Sequence, residues 1–95
     1  MSKATKATEV KKFTDIPNVG TAMERDFLFL GLTTLADLKK QDAYKLYQKM
    51  CKKNGTRQDP CVLDTYLAVV DFMNGAPARP WYWYTTRRKN EYPVI

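Results

Sequence analysis

The stretch Ile16-Pro17-Asn18-Val19-Gly20-Thr21-Ala22 holds the residue types that can bind an anion without a side-chain acid or base. Pro17 fixes one backbone angle of a tight turn. Asn18 and Gly20 are types that tolerate positive φ. Ile16 and Val19 are expected to point inward and hold the flanking helices together. A helix opening here presents the backbone N–H groups of Gly20, Thr21 and Ala22. They lack intrahelical partners and sit at the positive pole of the helix dipole, which suits a phosphate. Such a turn touches backbone rather than bases, so binding through it is sequence-tolerant. Lys11, Lys12 and Arg25 are the cations that would support a phosphate, and they would equally make an ordinary solvated face. A plain corner between two helices, in which Gly20 serves only the turn, also satisfies these residues.

Little else in the chain is equipped for chemistry. There is no histidine, which removes the commonest general base and the commonest metal ligand. Cys51 and Cys61 are too few for a zinc site without histidine, although carboxylates could contribute. They are expected as buried, reduced thiols on the inner faces of two helices. Asp59 reads as a helix cap and Asp64 as a surface charge, in preference to a metal pair. No catalytic residue, metal ligand or cofactor is assigned.

The elements that must position the turn follow from spacing. The 95 residues make one domain, 44% of them apolar, with 16 basic and 10 acidic side chains. The net charge of +6 favours a polyanionic partner. No run approaches the roughly 18 apolar residues that cross a bilayer. Nor does the N-terminus carry the apolar stretch of a secretory signal, so a cytoplasmic protein is expected. Residues 1–7 read as a flexible basic tail with Lys3 and Lys6, residues 8–75 as a helical bundle, and residues 76–95 as an arm.

A first helix is predicted from Thr8 to about Asp15, with Val10 and Phe13 on one face. The second runs from about Thr21 to Leu30, with Ala22, Met23, Phe27 and Leu30 on an apolar stripe that Leu28 and Phe29 widen. Gly31 is placed as its left-handed end. Thr33 or Thr34 caps a third helix, Leu35 to about Lys40, with Asp37 completing a capping box. Asp42 caps a fourth, Ala43 to about Asn54, whose outer face carries Lys45, Lys49, Lys52 and Lys53. Asp59-Pro60 opens a fifth, apolar on most sides and so central, which ends at Gly75. Ala76 to Pro80 is a proline-stiffened linker. Trp81-Tyr82-Trp83-Tyr84 alternates like a strand with no partner, and is read as an extended arm whose tryptophans fold back on the helices.

Ile16 to Gly20, followed by Leu30-Gly31-Leu32-Thr33-Thr34-Leu35-Ala36-Asp37-Leu38, is similar to many helix-hairpin-helix proteins. A more specific block is Arg57-Gln58-Asp59-Pro60-Cys61-Val62-Leu63-Asp64, followed by Asp71-Phe72-Met73 and Trp81-Tyr82-Trp83. Together these make the chain resemble the small bacterial pathogenicity locus family, some of whose members are labelled mitomycin resistance proteins. The resemblance implies an all-α, compact five-helix bundle of the SAM-domain-like kind containing a helix-hairpin-helix motif. Many such turns carry Gly where this chain has Asn18.

The function expected is non-enzymatic, sequence-tolerant binding of the DNA backbone through Lys11, Lys12, Pro17, Asn18, Val19, Gly20, Thr21, Ala22 and Arg25. RNA is a further candidate partner. The alternative is a protein-interaction module with no nucleic-acid role, using Trp81 to Tyr84 as a patch; those rings read otherwise as a lid over the core. DNA glycosylases with this hairpin use a Lys or Asp near it, and Asp15, Asp26 and Lys12 are available. A base-flipping enzyme needs a snug pocket between domains, however, and one domain does not supply it.

Overall fold

A computed structural model describes residues 3–93 of the chain. Its α-helices are α1 (Thr21–Phe29), α2 (Leu35–Lys39), α3 (Ala43–Asn54), α4 (Pro60–Met73) and α5 (Thr85–Glu91). Three 3-10 turns, Ala7–Glu9, Phe13–Asp15 and Trp81–Tyr84, complete the elements, and among the described residues there is no strand. The class is all-helical. The Cα radius of gyration of 12.5 Å is close to the ~13 Å of a compact domain of this length.

The caps form as their residue types dictate. The Thr34 hydroxyl accepts from the Asp37 amide at 3.1 Å, and the Asp37 carboxylate accepts from the Thr33 and Thr34 amides at 3.2 Å each. Those donors hold the Asp37 carboxyl below its usual range. Asp42 accepts from the Lys45 amide and Asp59 from the Cys61 amide. Gly31 and Gly55 take φ of 88° and 67°, a left-handed geometry that glycine adopts without strain.

The long helix α4 is the centre. Nine of its fourteen residues are buried, and Leu63, Tyr66 and Val69 have no exposure at all. Around it Phe13, Ile16, Val19, Phe27, Leu38, Leu46 and Met50 form one core. The Tyr66 ring lies 6.0 Å from Phe27, which in turn meets Phe13 edge-on at 5.5 Å. Burial raises the Tyr66 hydroxyl well above its ordinary pKa, and that hydroxyl has no hydrogen-bond partner among the described residues.

The chain departs from the sequence reading in four places. The helix expected over Thr8–Asp15 is instead two 3-10 turns separated by extended residues at Val10 and Lys12. Two acids cause the break. Glu9 accepts from the amides of Thr5 and Lys6, and Asp15 from those of Lys11 and Lys12, so each closes a local turn in competition with a continuous helix. Lys3 belongs to this fold too: its ammonium donates to the carbonyls of Thr14 (2.6 Å) and Val19. Met1 and Ser2 of the expected tail lie outside the described residues.

The C-terminal segment is not an extended arm. Trp81–Tyr84 coils into a 3-10 turn and α5 follows directly, while Val94 and Ile95 lie outside the described residues. The reason is Asp64, which is not a surface charge but 1% exposed. Its carboxylate accepts from Arg88 Nε at 2.9 Å and from the Thr85 hydroxyl at 2.8 Å. Asp71 holds the next arginine, Arg87, at 2.7 Å. Two acids on α4 thereby grip two basic residues on α5.

The third departure is the plug. Tyr84 is fully buried, whereas Trp81, Tyr82 and Trp83 are 39%, 65% and 51% exposed, so neither tryptophan seals the core. Lastly, two lysines of the outer face of α3 are not free. Lys49 donates to the carbonyl of Leu30 (2.8 Å) and Lys53 to that of Phe29 (2.9 Å), where they satisfy the C-terminal end of α1. Lys53 also sits 4.9 Å above the Phe29 ring, which points outward with Leu28 instead of widening the core stripe.

Arg88→Met leaves Asp64 buried and uncompensated, and is expected to cost about 3 kcal/mol in urea unfolding. Asp64→Asn combined with Arg88→Met should recover part of that loss. A single-variant cost under about 0.5 kcal/mol would show that the pair does not hold α5.

Candidate nucleic-acid interface

Ile16 and Val19 have zero exposure and fasten the turn to the core from below, as the sequence predicts. Between them Asn18 takes φ of 74°, the one positive φ at a non-glycine residue among those described. Gly20 does not need its freedom for backbone geometry: its φ of −104° and ψ of −172° are ordinary extended values. What matters there is space. A Cβ built on Gly20 would meet no atom within 4 Å, so the N-cap of α1 is open.

Gly20 brings no side chain to accept from the first-turn amides of α1, and the first backbone bond of the helix runs from the Glu24 amide to the Gly20 carbonyl. The N–H groups of Thr21 and Ala22 therefore face an exposed surface at the positive end of a nine-residue helix. This contrasts with α2, α3 and α4, each capped by an oxygen side chain.

The cations are distributed around this end and not gathered on it. Lys11 and Lys12 are exposed and line a groove with Phe13, Glu24, Leu28 and Leu35, on one flank of α1. Ala22 and Arg25 line a second depression with Asp26, Phe29 and Asn54. Burial raises the Asp26 carboxyl, with Arg25 opposing the shift. Asp15 is committed to the Lys11 and Lys12 amides. Pro17 is half-buried in the turn.

Sequence reasoning missed two participants. Lys3, with its ammonium on the Thr14 and Val19 carbonyls, brings a positive charge to the turn across eleven and sixteen residues of sequence. Nothing in its local sequence signals that reach. The other is the link between Asn18 and the C-terminal segment. Asn18 Nδ2 donates to the Arg79 carbonyl at 2.8 Å, and its Oδ1 accepts from the Trp81 amide at 3.1 Å. The side-chain amide thus reads the backbone of residues 79–81 as a neighbouring strand would. Asn18 therefore serves through its side chain as well as through its backbone.

The thiols lie apart from this face. Cys51 and Cys61 are both free and half-buried, less enclosed than expected. Burial, and then Asp59 beside it, push the Cys61 thiol above its ordinary pKa. Among the described residues no three His, Cys, Asp or Glu side chains group in a way that could hold a metal ion. No described helix is long and apolar enough to cross a membrane.

The arrangement is that of a small all-helical protein in which the open start of α1 is tied through Asn18 to an aromatic C-terminal segment. Residues 6–90 match the Pathogenicity locus family, and the chain belongs to that family. It is similar to the Mitomycin resistance protein McrB of Streptomyces lavendulae, with 45% identity over 76 residues, covering 80% of this chain and 72% of that protein. No solved structure matches the chain.

Two outcomes test this geometry. Asn18→Gly relieves the positive φ but removes both hydrogen bonds to residues 79–81, and is expected to cost about 1–2 kcal/mol with faster proteolysis at Arg79. Equal or greater stability would show that the two bonds contribute nothing. Alkylation of Cys61 should be slow at neutral pH and rise only above the usual thiol range; rapid labelling at pH 7 would contradict the raised pKa.

Proposed function

We propose that the chain is a non-enzymatic module that binds the nucleic-acid backbone, chiefly that of DNA, without reading sequence. In this reading residues 16–22 act as a helix-hairpin-helix-type turn in a SAM-like bundle, with the 3-10 turn Phe13–Asp15 standing where the first helix of such a motif would be. One observation carries the reading: the open, uncapped start of α1 at Gly20, Thr21 and Ala22, in a fold that caps its neighbouring helices with side chains. An oxyanion can take the place of the absent cap. Lys3 stands at the turn, Arg25 lines a depression with Ala22, Lys11 and Lys12 lie along one flank of the helix, and the net charge of +6 adds long-range attraction that salt screens.

The reading assigns backbone contacts to Gly20, Thr21 and Ala22, and electrostatic support to the four cations. Pro17 and Val19 shape the turn, and Asn18 holds it to residues 79–81. Glu24 shares the groove of Lys11 and Lys12 and limits how much charge that flank presents. A cytoplasmic location is part of the proposal. The name of the Streptomyces relative concerns resistance to mitomycin.

Gly20→Ser separates this reading from a purely structural turn. A serine there has room, and its hydroxyl can accept from the first-turn amides, so stability should stay level or rise by a few tenths of a kcal/mol. DNA affinity should fall, because the same amides are now occupied. Unchanged affinity in a folded Gly20→Ser variant would place binding elsewhere. Lys11→Glu with Lys12→Glu should keep the helical content and weaken binding equally across unrelated sequences, with the salt slope reduced by about 2. Sequence-dependent losses would contradict a backbone-only mode.

A further inference from the structure

Trp81, Tyr82 and Trp83 stand in the solvent although the same four-residue turn buries Tyr84 completely. Exposed rings of this size in a folded domain call for an occupant. They are also held rigidly. Pro80 precedes the turn, Asn18 brackets the backbone at 79–81, Tyr84 anchors the turn's end, and the Asp64–Arg88 pair fixes the helix that follows.

The charge around the rings points to what they hold. Of the four basic side chains in residues 76–95, Arg87 and Arg88 are held by Asp71, Glu91 and Asp64, and Arg79 is the cation that stands on the rings. Arg79, half-buried, lies with its guanidinium carbon 4.0 Å from the centre of the exposed Trp83 ring, a cation stacked on a ring that faces solvent. Beside it Tyr82, Trp83, Thr86 and Asn90 line a groove with Arg87 and Glu91, which are paired to each other at 2.8 Å. Hydroxyl and amide groups next to flat rings suit the edge and the face of a nucleobase. Trp81 and Tyr82 meet at 80°, so each ring offers its own face instead of sharing one.

We propose that Arg79, Trp81, Tyr82 and Trp83 form a stacking platform for unpaired bases of a single-stranded nucleic acid. The proposal rests on the backbone-binding reading of the turn and extends it. Asn18, two residues before Gly20, holds the backbone of residues 79–81, so the turn and the platform are joined by direct hydrogen bonds. Rings and cations in this combination bind single strands without sequence preference. The chain would therefore favour frayed ends, gaps or loops over continuous duplex.

The test uses the full chain at low salt, with a 12-nucleotide oligothymidylate and a 12-base-pair blunt duplex as probes. Oligothymidylate should quench the tryptophan emission and bind more tightly than the duplex. Tyr82→Leu with Trp83→Leu keeps apolar bulk but removes the ring faces. It should lower affinity for the single strand about fivefold or more and leave duplex affinity nearly unchanged, with circular dichroism verifying the fold. Lys11→Glu with Lys12→Glu should weaken both. If the duplex binds in a Gly20-dependent way while oligothymidylate neither quenches nor binds better, the platform is overturned and the turn reading stands. If the leucine variant lowers both affinities equally, stacking is overturned as the source of preference. If neither nucleic acid binds, and the leucine variant disperses a self-association seen by sedimentation, both readings fall and the rings are a protein interface.

Discussion

Among the described residues Asp64 is the one carboxylate that the fold takes out of water, and the segment after Gly75 hangs on it. A buried, ionised carboxylate is tolerable only if donors surround it. Arg88 and Thr85 supply those donors from α5, so the charge on α4 dictates where α5 must lie. Once α5 is placed, Tyr84 sits at its start and fills the core, and the three preceding rings have no interior left to enter. The 79–81 backbone is then close enough for the Asn18 side chain to grip. A buried ion pair contributes little net stability compared with apolar packing, but it does specify one arrangement. Here it converts a proline-rich tail into an element with defined geometry.

The helices from Thr21 to Met73 were legible in the sequence because their ends are written in local chemistry. Thr34 with Asp37, Asp42, Asp59-Pro60, and the left-handed glycines at 31 and 55 each act within a few residues. The apolar surround of α4 likewise announced a central helix. Before Gly20 the same local reasoning failed. Glu9 and Asp15 are good helix-start acids, and each instead closed its own short turn. After Gly75 the decisive contacts are long-range: Asp64 to Arg88, Asp71 to Arg87 and Asn18 to Arg79 span 24, 16 and 61 residues. Composition carries no sign of such pairings. Asp64 read as a surface charge because its neighbours in sequence say nothing of its partner.

The candidate site was half legible. Ile16, Val19 and the small residues after Asn18 identified the turn, and its inward anchors are where they were expected. Asn18 was read for its backbone tolerance alone, whereas its side chain does as much as its φ. The cations were harder. Lysines look alike in sequence, yet Lys49 and Lys53 are spent on the end of α1, while Lys3 is drawn onto the turn. The same helix thus has its carbonyl end satisfied by two ammonium groups and its amide end left open. That asymmetry is the physical basis for assigning the amide end to a ligand.

A titration followed by 1H–15N correlation spectra tests this assignment most directly, because it observes the amides themselves. A short DNA duplex added at low salt should move the Gly20, Thr21 and Ala22 amide resonances furthest, with the same set of shifts for unrelated duplex sequences. Shifts centred on the exposed face of α3, with the α1 start unmoved, would contradict the account.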